Sequence, residues 1–70
     1  MMNYYNNIIK YICTRLYKLY GLVVGINTDD SRNIRFITNT KQSQSINIYR
    51  ITDQSELDYY VNNIGQELIA

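Results

Sequence analysis

Few side chains in this chain could do chemistry. None of the 70 residues is a histidine, so neither imidazole acid–base catalysis nor a histidine-ligated metal is available. The lone thiol, Cys13, has no histidine to activate it and no second cysteine for a disulfide or a zinc site. The three glycines are scattered and form no phosphate-binding loop. The residue types therefore argue against an enzyme and predict no cofactor and no metal site.

The six carboxylates indicate structural roles rather than catalytic ones. Asp29 and Asp30 are adjacent in a polar segment typical of a turn, where Asp side chains cap local backbone N–H groups. Too few other oxygen ligands accompany them to complete a calcium or magnesium site. Asp53, with Glu56 three residues later, fits the start of a helix.

The charges are divided between the two ends of the chain. Residues 1–28 contain three charged side chains, all basic: Lys10, Arg15 and Lys18. Residues 53–70 contain four charged side chains, all acidic: Asp53, Glu56, Asp58 and Glu67. Because both segments also have helical patterns, we expect a cationic helix and an anionic helix that attract each other through surface ion pairs.

Apolar residues recur every three or four positions from Asn3 to Tyr20, which predicts an amphipathic helix that ends at Gly21. The stripe comprises Tyr5, Ile8, Ile9, Ile12, Leu16, Leu19 and Tyr20. A second stripe, after an N-cap at Asp53, comprises Leu57, Tyr60, Val61, Ile64 and Leu68. Gly65 interrupts this second helical pattern.

Between the helices the period changes to two, which predicts three strands joined by short polar loops. The inward positions are Leu22, Val24, Ile26, Ile34, Phe36, Ile46 and Ile48. The predicted fold is α+β with the order α-β-β-β-α, in which two helices pack on one face of a three-stranded antiparallel meander. We interpret residues 1–70 as a single domain.

The other sheet face is predicted to be a partner-binding surface. Its side chains would be Val23, Arg35, Ile37, Asn47 and Tyr49. If Val23, Ile37 and Tyr49 lie in a row across neighbouring strands, the face is too apolar to remain in water. We expect it, or the strand edge beside it, to bind a second copy of the chain or a target protein, and we expect a homodimer.

The alternative is a nucleic-acid-binding surface on the first helix, where basic groups alternate with aromatic ones. Its residues would be Tyr4, Lys10, Tyr11, Arg15, Tyr17 and Lys18. The α-β-β-β-α order is also that of double-stranded RNA-binding domains and of small ribonuclease toxins. The RNA-binding domains carry lysines where this chain has Asp53–Glu56, and the toxins need a histidine. A shared topology alone does not carry function, and we assign no family.

The composition favours a small cytoplasmic protein. No run of about 20 apolar residues could span a membrane, and residues 1–7 lack the positive charge of a signal peptide. Asn, Ile and Tyr, which have AT-rich codons, are abundant and suggest an AT-rich genome. We therefore expect a non-enzymatic interaction module or inhibitor encoded by a phage or mobile element. The most specific version of this hypothesis is an inhibitor that binds a host defence nuclease in the host cytoplasm, as anti-CRISPR proteins do.

Overall fold

The computed structural model describes residues 4–28 and 32–70, without the side chains of Tyr4 and Tyr5. Its elements are α1 (Tyr4–Tyr20), β1 (Gly25–Thr28), β2 (Asn33–Ile37), β3 (Ile46–Asn47), a short 3₁₀ helix (Ile48–Arg50) and α2 (Gln54–Ile69). The α+β architecture and the α-β-β-β-α order are as predicted. The predicted N-cap Asn3 and the turn residues Asp29 and Asp30 lie outside the described residues.

The helix ends follow local sequence signals. Gly21 has a φ of 68°, and its N–H donates to the Tyr17 carbonyl at 2.9 Å, so a residue without a Cβ terminates α1. Asp53 is the N-cap of α2, and its carboxylate accepts the Glu56 N–H at 2.8 Å. Glu56 reaches back to accept the Thr52 N–H at 3.0 Å, one residue before the usual partner in a capping box.

The strands form an antiparallel sheet in the order β1-β2-β3, but two of them differ from the prediction. The first was expected to begin near Leu22, whereas β1 begins at Gly25, opposite Ile37. Immediately after β2, the Thr38 N–H donates to the Lys41 carbonyl at 2.8 Å and closes a turn. Residues 22–24 therefore have no strand to pair with.

The third strand is shorter than predicted for the same kind of reason. Asn47 pairs with Asn33, the first residue of β2, so the next residues of the chain have no strand partner. The Asn47 side chain accepts the Tyr49 N–H at 3.0 Å and caps the 3₁₀ helix. Tyr49 thus belongs to a helical turn and not to the sheet.

The core lies between the helices and one face of the sheet. Leu16 and Phe36, which were expected to share it, are both fully buried in one apolar cluster. The other buried apolar residues are Ile8, Ile12, Ile34, Ile46, Ile48, Ile51, Leu57, Val61, Ile64 and Leu68. Two inward assignments were wrong: Leu19 is exposed on α1, and Ile26 is exposed on the outer strand of the sheet.

The core also contains one buried hydroxyl and one buried glycine, each with a close contact. The buried Ser43 hydroxyl accepts the Phe36 N–H at 2.9 Å and donates to the Gln44 carbonyl at 2.9 Å. Gly65 is buried beneath the ring of Tyr20, and a Cβ at this position would overlap that ring. The interrupting glycine therefore allows α1 and α2 to approach closely.

Candidate protein-binding surface

The five side chains predicted to bind a partner do not form one apolar row. Val23 precedes β1 and Tyr49 lies in the 3₁₀ helix, so neither is aligned with Ile37 in the sheet. The sheet pairs that share Ile37's face are Gly25–Ile37, Asn27–Arg35 and Asn33–Asn47. This face is largely polar, because Ile37 is its one large apolar side chain among the described strand residues and packs against Gly25.

Exposed apolar side chains instead lie in and just before β1, at the edge of the sheet. All four residues of β1 are exposed, none is charged, and β1 is an outer strand of the sheet. Val23, directly before it, is 78% exposed, and Ile26 within it is 42% exposed. An uncharged outer strand is a template for pairing with another chain, and natural proteins usually protect such edges with Lys, Pro or a covering segment.

A shallow groove adjoins this edge, between the last turns of α1 and the segment that leads into β1. We call it the α1–β1 groove; it has a volume of about 340 Å³, and its lining residues are Cys13, Thr14, Tyr17, Leu22, Val23 and Val24. The Cys13 thiol is half-buried in its wall, and burial raises the pKa of this thiol above its ordinary value. The groove is thus lined by the residues that lead directly into β1, with Val24 next to its first residue.

Tyrosine hydroxyls, rather than the expected ion pairs, make the polar contacts between α1 and α2 in the described residues. The Tyr11 hydroxyl donates to Asp58 Oδ1 at 2.8 Å and accepts from Gln54 Nε2 at 2.8 Å. The Asp58 carboxylate holds the pKa of Tyr11 above its ordinary value, because it accepts a hydrogen bond from the protonated phenol. The Tyr20 hydroxyl donates to Asn62 Oδ1 at 2.7 Å.

The four described acids are all engaged within the molecule. Asp53 and Glu56 cap the start of α2, Asp58 accepts from Tyr11, and Glu67 Oε1 accepts the Gln44 N–H at 2.8 Å. Lys10 and Lys18, in contrast, lie exposed on α1. These hydrogen bonds come from uncharged donors and leave the carboxylates ionised, so the helical side carries exposed charges of both signs.

The alternative nucleic-acid face is smaller in the structure than in the sequence. Tyr11 is occupied by α2, and Arg15 is half-buried, with its Nε shielded from solvent. The side chain of Tyr4 lies outside the described residues. Lys10, Tyr17 and Lys18 remain exposed on the outer side of α1.

The predicted partner-binding surface included Val23 but not Leu22 and Val24, which line the same groove. Leu22 and Val24 were assigned to the core because they alternate with Val23, and both are half-buried beside that core. The exposed outer strand carried one signal, the absence of any charged residue from Gly21 to Thr28. Within the described ranges, no group of three or more His, Cys, Asp or Glu side chains could hold a metal ion.

No family model, curated protein or solved structure matches this chain. Neither helix of the described part of the chain is long and apolar enough to cross a bilayer.

Proposed function

We propose that this chain is a small, non-enzymatic protein-interaction module that associates through the β1 edge and the α1–β1 groove. One observation carries the proposal: an uncharged outer strand directly follows the exposed Val23, which shares a groove with the exposed Tyr17. Backbone N–H and C=O groups on such an edge supply hydrogen bonds to an added strand, and the neighbouring apolar side chains supply buried area.

The first occupant that we propose is a second copy of the chain, giving a homodimer. Antiparallel pairing of two β1 strands would join the sheets and cover both grooves, because an isologous contact uses the same surface twice. A chain of this length gains from such an assembly, since a small core alone provides limited stability.

Self-association is tested by light scattering of Val23→Glu, Ile37→Glu and the wild type over a range of concentrations. Gln66→Glu is the control, because Gln66 is exposed on α2 and lies outside the groove. We expect a concentration-dependent dimer that Val23→Glu alone converts to a monomer. Dimer loss in Ile37→Glu alone would return the interface to the open sheet face, and a monomeric wild type would contradict the homodimer.

Cys13 provides a second readout in the unmodified chain. Because its thiol lies in the groove wall, a bound second copy should slow its alkylation by iodoacetamide as the protein concentration rises. The same measurement on Val23→Glu should show no dependence on concentration. Unchanged wild-type rates would mean that the groove stays open.

The specific activity that we propose is inhibition of a host defence nuclease, as an anti-CRISPR protein would do. It is supported by the small size of the chain, by the abundance of Asn, Ile and Tyr, whose codons are AT-rich, and by the absence of histidine. Phage plating on a host with an active CRISPR system tests it. Expression of the wild type should restore phage plating, and expression of Val23→Glu should not. If neither protein restores plating, the chain is not an inhibitor of that system.

A nucleic-acid regulator is the second candidate, favoured by the exposed Lys10, Tyr17 and Lys18 on α1. Binding to generic duplex and single-stranded DNA should then weaken with salt, with log–log slopes of about −1.8 and about −1.4 respectively for two phosphate contacts. Lys10→Gln with Lys18→Gln should abolish that binding. Salt-independent or absent binding would exclude this candidate.

A further inference from the structure

The backbone groups at the free edge of β1 can be identified from the hydrogen bonds of β2. Both backbone groups of Phe36 point to the side of β2 that faces away from β1. Its N–H donates to the Ser43 hydroxyl at 2.9 Å, and its carbonyl accepts the Ser43 N–H at 2.8 Å. Because successive strand residues direct these groups to opposite sides, those of Arg35 and Ile37 point towards β1.

The pairing of β1 with β2 then fixes the orientation of the outer strand. Gly25 lies opposite Ile37 and Asn27 lies opposite Arg35, so the backbone groups of Gly25 and Asn27 point towards β2. Ile26 lies between them, so its N–H and C=O groups point away from the sheet. In the described part of the chain, these two groups have no hydrogen-bond partner.

Ile26 also places its side chain at this edge. It lies directly opposite Phe36, so the two side chains share one face of the sheet, the face that covers the core. Phe36 is fully buried, whereas Ile26 is 42% exposed. Thr28 repeats the orientation of Ile26, because alternate strand residues share a face and a backbone direction. A strand added beside β1 would cover the exposed part of Ile26.

Two features of this edge fit a second copy of the chain. The outward N–H and C=O groups of one residue are complementary to the same two groups in an antiparallel copy. An isologous contact also brings residues near their own counterparts, so a charged residue there would meet a like charge. No residue from Gly21 to Thr28 is charged, so symmetric pairing meets no such repulsion.

We propose that the two-fold axis of the homodimer passes beside Ile26, so that this residue pairs with the partner's Ile26 through both backbone groups. The same register sets Thr28 opposite the partner's Val24. A register centred on Asn27 would also satisfy the outward groups, but it would set Ile26 opposite threonine and lose the contact between two apolar side chains. The inference rests on the homodimer proposed above and specifies its register and its central residue.

Amide hydrogen exchange of the unmodified chain at low and high protein concentration tests the orientation of β1. In the monomer the Ile26 and Thr28 amides should exchange rapidly, and the Asn27 amide, which points towards β2, should already be protected. The Ile26 and Thr28 amides should slow by about tenfold once about nine-tenths of the chain is dimeric, because exchange then requires the free monomer. An Ile26 amide that stays fast in the dimer would overturn the inference.

Single cysteine substitutions distinguish the two registers. Ile26→Cys, Asn27→Cys and Thr28→Cys replace exposed residues and are each incubated in a glutathione redox buffer. Mass spectrometry of the bridged peptides separates their disulfides from any bridge through Cys13. We expect Ile26→Cys alone to bridge to its counterpart, because the Cα atoms of a hydrogen-bonded pair lie about 5.5 Å apart. The other two positions would be displaced from their counterparts by about 7 and about 13 Å along the strand.

The outcomes separate the register from the proposed function. If Val23→Glu disrupts the dimer but the bridge forms in Asn27→Cys, or in none of the three variants, the register is wrong and the β1 surface stands. A dimer that survives Val23→Glu but bridges in Ile26→Cys would support the register and remove the groove from the interface. A monomeric wild type would contradict both the homodimer and its register.

Discussion

At the scale of single residues, Ser43 is a buried polar group with its hydrogen bonds satisfied. Ser43→Ala would leave the Phe36 N–H buried without its acceptor. We expect the free energy of unfolding to fall by about 1–3 kcal/mol, measured by urea denaturation. Ser45→Ala is the matched control, because the Ser45 hydroxyl has no partner to lose. Equal losses in the two variants would contradict this account.

Gly65 and Tyr20 form a pair whose effects should not add. In the wild type, Gly65→Ala should destabilise by about 1–3 kcal/mol, because the new methyl group overlaps the Tyr20 ring. In a Tyr20→Ala background the same change should stabilise by about 1 kcal/mol, since alanine is the better helix former. Urea denaturation of all four proteins measures the coupling. The same sign in both backgrounds would show that the ring is not the reason for the glycine.

At the scale of elements, the helices were easier to predict than the strands. Helix signals are local: an apolar period of three to four residues, Gly21 at the end of α1 and Asp53 at the start of α2. Strand bounds depend on what lies alongside. β1 starts three residues later than expected because β2 ends in a turn at Thr38, and β3 stops at Asn47 because β2 starts opposite it. No local alternation of residues encodes those limits.

The start of α2 should be sensitive to acid. Hydrogen bonds from the Glu56 N–H, and then from the Ser55 hydroxyl, hold the pKa of Asp53 below its ordinary value. A depressed folded-state pKa contributes stability above the unfolded-state pKa, and that contribution is lost as the pH falls through the folded-state value. Asp53→Asn keeps a capping oxygen but does not titrate.

The difference in urea midpoint between the wild type and Asp53→Asn measures this contribution. We expect the wild type to be more stable at neutral pH and the difference to shrink once the pH falls below the ordinary carboxyl range. If the difference in midpoint stays constant as the pH falls below that range, the charge of Asp53 does not contribute to the cap.

At the scale of the whole molecule, two concave sites, the α1–β1 groove and a cleft of about 550 Å³ between β3 and α2, depend on contacts between distant segments. The exposure of Val23 was predicted from strand alternation, but the α1–β1 groove exists only because the connecting segment packs against α1. The cleft between β3 and α2 joins Arg50 to Tyr60 and Asn63, and its position depends on where α2 meets the sheet edge. Local sequence patterns show which residues are apolar or charged, but they do not determine which distant segments come into contact.

The burial of Leu16 should contribute a large share of the stability of the whole fold. At roughly 0.05–0.15 kcal/mol per residue, a chain of 70 residues has a free energy of unfolding of about 4–10 kcal/mol. Leu16 is fully buried, and Leu16→Ala should cost about 2–5 kcal/mol, a large part of that total. Leu19→Ala is the matched control on the same helix, because Leu19 is 55% exposed and should cost much less.

Because one apolar cluster joins both helices to the sheet, the loss should be global and not confined to α1. Far-UV circular dichroism and tyrosine fluorescence should therefore report a single coincident transition at a lower urea concentration in Leu16→Ala. Separate transitions for the two signals would show that α1 unfolds independently of the sheet. Equal costs for Leu16→Ala and Leu19→Ala would contradict the placement of the helix on the core.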